Sequence, residues 1–145
     1  MTYATKQDLI DRFGSTELEQ LTDRVNRPPS TIDDVTLERA LTDASALADG
    51  YLRKVVALPL QDVPPVLVKK VADIARYYLH GKAADKEGPV LRAYNEAVSW
   101  LKDVARGLIE LSGPAGGADP QPAGGGQIRT SAPNRTFTRD SLRGA

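Results

Sequence analysis

Apolar residues recur every three to four positions through most of the first 111 residues, a spacing that predicts helices. The strongest stripe follows Asp33-Asp34, where Leu37, Ala40, Leu41, Ala44, Leu47, Ala48, Tyr51, Leu52 and Val55 hold helical register across about six turns. Gly50 lies inside that stripe at a cost of about 1 kcal/mol relative to alanine, which suggests a close approach by another helix or a tolerated weak point. Leu58-Pro59-Leu60 and Val63-Pro64-Pro65 cannot continue a helix, so the chain turns and restarts with Pro65 near the first helical position. A second stripe then runs through Val68, Val71, Ala72, Ile74, Ala75, Tyr78 and Leu79, with Gly81 as its stop. After a charged loop over residues 82–88, Pro89 opens a third stripe: Leu91, Tyr94, Ala97, Val98, Leu101, Val104, Ala105 and Leu108, closed by Leu111.

Two shorter helices precede these. Thr5 is an N-cap with Asp8 three residues on, a short-acid capping box ahead of Leu9, Ile10 and Phe13, and Gly14 stops the helix. Ser15 opens the next, with Leu18, Leu21 and Val25 in register until Arg27-Pro28-Pro29-Ser30 forces an extended break. No segment before residue 113 alternates with period two. The expected fold is therefore all-α: a small helical bundle of three main helices with short N-terminal helices and an extended C-terminal arm.

Composition changes the picture at the C-terminal end. Residues 113–145 hold seven of the 12 glycines and four of the ten prolines, and cannot bury enough apolar surface to offset their ordering entropy alone. They carry four arginines against two aspartates, a net of +2, which leaves −2 on residues 1–112 of a chain whose total is zero. The domain organisation expected is a helical body over 1–112 and a Gly/Pro-rich arm over 113–145. Within the arm, Gln127-Ile128-Arg129-Thr130-Ser131 and Arg135-Thr136-Phe137-Thr138-Arg139 are β-prone patches without a local partner strand, suited to adding to another protein's sheet edge.

Candidate chemistry is sparse. The chain has no cysteine and one histidine, which removes disulfides and thiolate metal sites and most histidine-based catalysis. His80 precedes Gly81 at a helix C-terminus, where a polar ring answers the open carbonyls. Asp33-Asp34 reads as an N-cap and first-turn acid rather than a metal pair. Gly124-Gly125-Gly126 has no following lysine or helix and is a linker, not a phosphate cradle. Tyr77-Tyr78, Tyr94 and Trp100 lie on or near apolar faces, where filling the core explains them. Neither an enzyme nor a cofactor is expected, and neither is a membrane span or a cleaved secretion signal.

The order and spacing of several pieces resemble a known family. Tyr3-Ala4-Thr5 with Leu9-Ile10-Asp11-Arg12-Phe13 opens the match, and Ala48-Asp49-Gly50-Tyr51-Leu52 continues it. Leu58-Pro59-Leu60, Val63-Pro64-Pro65 and Ala72-Asp73-Ile74-Ala75-Arg76-Tyr77-Tyr78-Leu79 follow, and Arg139-Asp140-Ser141-Leu142 ends it. Together they resemble the small head-to-tail connector, or adaptor, proteins of tailed phages and prophages, in particular the Mu-like branch. The chain departs at Ala145, where relatives are expected to carry an aromatic residue.

The resemblance implies a structural virion protein of the head-tail neck, present in the host cytoplasm during assembly. It implies a homo-oligomeric ring, commonly of twelve copies, below the portal protein, extending the DNA channel and docking tail or neck proteins. Packaged DNA would pass without sequence readout. The arm then becomes the partner-binding segment, with Phe137 and Leu142 as apolar anchors, Arg129, Arg135, Arg139 and Arg143 as charge partners, and Ile128 and Asp140 beside them. Gly50 and Gly107 become candidates for tight helix packing within or between protomers. Two alternatives stand against this reading: a tail-side completion protein of the same structural class, and a small helical DNA-binding module whose arginine arm tracks phosphate with strong salt dependence.

Overall fold

Among the described residues five helices form, starting where apolar spacing and local sequence signals place them: α1 (Lys6–Phe13), α2 (Ser15–Thr22), α3 (Asp34–Leu52), α4 (Pro65–His80) and α5 (Pro89–Ala105). The structure is a computed structural model that describes residues 1–81, 84 and 87–111, all of them within one unit, Met1–Ala115. No strand occurs among the described residues, so the all-α expectation holds for the body. The arm residues Ile128, Arg129, Arg135, Phe137, Arg139, Asp140, Leu142 and Arg143 lie outside the described residues, as does most of the loop at 82–88.

The local signals behave as their chemistry requires. Thr5 and Asp8 form a reciprocal capping box at α1, and Gly14 ends the helix at φ +85°, a conformation that costs a Cβ-bearing residue more. Asp33 caps α3 by accepting from the Val35 N–H at 3.1 Å and the Thr36 hydroxyl at 2.6 Å. Proline stands at the start of both α4 and α5, where its missing N–H would have had no helical partner.

α4 is the central element, in contact with all four other helices and most extensively with α3 and α5, which also touch each other. The segments that follow α3 and α5 meet at one end of the bundle, where Val55 and Val56 line one cleft with Val104, Gly107 and Ile109. Leu37, Leu52, Leu67, Val71, Ile74, Leu101 and Val104 form the fully buried centre, joined by Leu9 and Leu18 from the short helices. Tyr3 and Ala4 are buried beside α3, where the Tyr3 N–H donates to Ser45 Oγ at 3.1 Å and its hydroxyl donates to Asp49. Burial and the Asp49 carboxylate push the Tyr3 phenol above its ordinary range.

Three stripes stop earlier than their periodicity suggests. α2 ends at Thr22, and Val25 is 90% exposed, because the Asp23 carboxylate collects the following N–H groups into a loop. α3 ends at Leu52 with Arg53 as its C-cap, and a single turn follows in which the N–H groups of Val55 and Val56 bond to the Leu52 carbonyl. α5 ends at Ala105, not near Leu111. There Gly107 takes φ +74°, its N–H bonds to Val104 O and the Leu108 N–H bonds to Asp103 O, a complete Schellman stop.

That stop corrects the placement of Gly107 inside a long helix: it stands past the helix end as a left-handed cap. Gly50 is within α3, but a Cβ on either glycine would meet no atom of the other described residues within 4 Å. Neither marks a close helix crossing among the described residues.

Candidate interaction surfaces

Asp23 organises the most prominent surface feature. Its carboxylate accepts from the N–H groups of Val25, Asn26, Ser30 and Thr31 at 2.9–3.2 Å, and from the Asn26 amide and Thr31 hydroxyl at 2.8 and 3.2 Å. These donors, led by those of Asn26 and Ser30, hold the carboxyl well below the usual carboxylate range. One side chain thus ties the start of the 23–31 loop to its end. The loop carries exposed Arg24, Val25 and Arg27 outward. Periodicity missed this role for Asp23. The Asp, Asn, Ser and Thr residues around Pro28-Pro29 are its signal, since those side chains favour bonding nearby backbone.

At the opposite end of α3 lies an apolar cleft of about 220 Å³ lined by Val55, Val56, Val104, Gly107, Ile109, Glu110 and Leu111. It forms because α3 and α5 both end early, so the segments beyond their caps face each other across the end of the bundle. Val55 is 43% exposed, and Leu108, next to the cleft residue Gly107, is 72% exposed. Its sequence signal is a connection far more apolar than a solvated loop needs: Val55, Val56, Leu58, Leu60 and Val63 within nine residues.

A third cluster ties the short helices to the bundle. Glu17 of α2 receives Arg76 of α4 in two parallel bonds, Nε to Oε1 at 2.6 Å and Nη2 to Oε2 at 2.9 Å. His80 Nε2 stands 3.3 Å from the same carboxylate, and the Arg76 guanidinium lies over the Phe13 ring at 4.5 Å. Burial alone would raise the pKa of Glu17, but the bonds from Arg76 and His80 outweigh it and hold the carboxyl below its ordinary value. His80 thus has a structural partner one element away as well as its place at the end of α4.

The remaining candidates resolve simply. Asp33 is a cap and Asp34 pairs with Lys6, so the two carboxylates do not converge on a metal. Among the described residues no cluster of three metal-ligating side chains forms, and no helix is long and apolar enough to cross a membrane. Tyr77 stacks on Tyr94 at 4.3 Å with Tyr78 tilted beside them, and Trp100 packs against the core. Burial and the neighbouring Tyr94 push the Tyr78 phenol upward.

The chain matches the family model described as "Bacteriophage Mu, Gp36" over residues 3–130. It is similar to gene product J of Escherichia phage Mu, at 36% identity over 110 residues covering 76% of each chain. It is also similar to the Mu-like prophage FluMu protein gp36 of Haemophilus influenzae, at 34% identity over 109 residues, 75% of this chain and 74% of that one. The matched span takes in all five helices, the 23–31 loop, the apolar cleft and the arm as far as Thr130, so the chain belongs to the bacteriophage Mu Gp36 family of phage proteins.

Proposed function

We propose that this phage protein is the head-to-tail connector. Its helical bodies tile side by side into a closed ring, expected at twelve copies, below the portal protein. The ring extends the DNA channel and offers a face to tail or neck proteins, and the arm ties it to its neighbour. The observation that carries this reading is membership in a bacteriophage Mu family along nearly the whole chain, joined to the arm motifs that resemble connectors. A body with an exposed valine on a projecting loop and an apolar cleft beyond the far end of α3 suits a protein that works by contact with neighbours. Multivalency supplies the strength, because modest arm contacts act together once several copies are held in one ring.

The test is a reconstruction of the particle neck. Density for a ring of this helical body between portal and tail supports the connector, whereas density only on the tail side would make it a completion protein. A chain cut after Ser112 is expected to keep its helical circular dichroism and lose the joining of heads to tails; normal infectivity of such a phage would sink the reading. DNA is expected to pass without readout, so a salt-resistant footprint on one sequence would point to the DNA-binding alternative.

A further inference from the structure

Ring closure needs two different faces on each copy, because a head-to-tail contact joins one patch to another elsewhere on the next molecule. Resting on the connector reading, we propose that the 23–31 loop of one copy seats Val25 in the cleft formed by Val55, Val56, Val104 and Ile109 of the next.

Val25 is the most exposed large hydrophobic residue among the described residues, at 90%. It stands on a loop whose two ends are held by one carboxylate, so little conformational freedom is lost when the loop docks. The cleft is its counterpart in shape and chemistry. At about 220 Å³ it falls below the roughly 300–1,000 Å³ of small-molecule pockets and suits an aliphatic side chain instead.

Charge gives the contact its polarity. Exposed Arg24 and Arg27 flank Val25, and among the described residues Glu110 is the one charged side chain lining the cleft. Arg53, whose Nε donates back to Asp49 O, and Lys54 precede Val55 in the chain but do not line the cleft, so Glu110 is the charge that an arginine-flanked valine meets there. Geometry forbids the contact within one copy. The loop precedes the N-terminus of α3 and the cleft lies beyond its C-terminus, which puts the 19-residue helix, about 28 Å long, between them.

The absence of cysteine makes the proposal directly testable. Full-length Val25→Cys and Val55→Cys proteins, both altered at exposed positions, are mixed and oxidised, both free at high concentration and in particles complemented with the double variant. The expected result is a disulfide heterodimer from the mixture and a ladder of oligomers from the double variant. A control pair, Val25→Cys with Ser99→Cys on the exposed side of α5, should give only background. Adding Glu110→Lys to the Val55→Cys protein should cut the yield several-fold, and Arg27→Glu on the other partner should restore it.

Cross-linking at the control level in both settings overturns the contact, as does a yield indifferent to both charge changes. A ring seen in the neck without this cross-link would leave the connector standing and remove only this interface. A cross-linked ladder without any ring in the neck would keep the contact and remove the connector.

Discussion

Glu17 stands half-buried between Arg76 and His80, and what it contributes depends on its charge. Because its pKa is lower in the folded chain, its stabilisation is full above the ordinary value of 4.5 and is lost as pH falls through the lowered one. Glu17→Gln should therefore cost about 1–2 kcal/mol at neutral pH, an amount trimmed by partial exposure, and the deficit should shrink in acid. Thermal unfolding of both proteins from pH 7 to pH 3 checks this, and a deficit that does not change with pH would refute it. Asp23 invites a different measurement, since it is a solvent-facing organiser of a loop. Asp23→Ala should leave the helices intact and open the chain between residues 24 and 30 to proteolysis much sooner than in the parent. Neither residue was visible as a partner from spacing alone: Glu17 and Arg76 are 59 positions apart, and only the packing of α2 across α4 brings them together.

Among the helices, two glycines that look alike in sequence behave oppositely. Gly50 has ordinary helical backbone and open space where a Cβ would go, so Gly50→Ala should raise stability by up to about 1 kcal/mol. Gly107 has φ +74°, so Gly107→Ala should lower stability by about 1 kcal/mol through left-handed strain, despite equally open space. Denaturant midpoints of the two variants test the contrast, and equal signs would contradict it. Gly50→Ala has a second use: loss of assembly by a stabilised protomer would mean that the open face of α3 packs against a neighbouring copy. Four of the helix starts were legible because each carries its own chemistry at one position, Thr5, Asp33, Pro65 or Pro89. The ends of α2, α3 and α5 were less so, since apolar residues continue in register past the true stop. At α5 the backbone bond from Leu108 to Asp103 around left-handed Gly107, and at α2 the side-chain bonding to Asp23, override the pattern.

For the molecule as a whole, stability rests on the joint burial of α3, α4 and α5 around Leu67, Val71, Ile74 and Leu101. Leu101→Ala should remove about 2–5 kcal/mol, read as a fall in unfolding midpoint, because a fully buried leucine leaves a cavity that the bundle only partly closes. The apolar cleft belongs to this scale too. It arises from where two helices stop relative to each other, and no residue in it is unusual by itself. The arm motifs at Phe137 and Leu142 belong to the proposed assembly, and their roles are tested there.

The sequence by itself determined the helices, their order and most of their starts, because helical periodicity and capping are local properties carried within a few residues. It also carried the membership in a bacteriophage Mu family, which the match over residues 3–130 shows. Tertiary structure decided the rest. It placed Arg76 on Glu17, gathered a loop onto Asp23, turned Gly107 from a helix residue into a cap, and set an exposed valine and an apolar cleft at opposite ends of α3. Those features depend on residues distant in the chain or on competing hydrogen bonds at a helix end, and neither leaves a period to read.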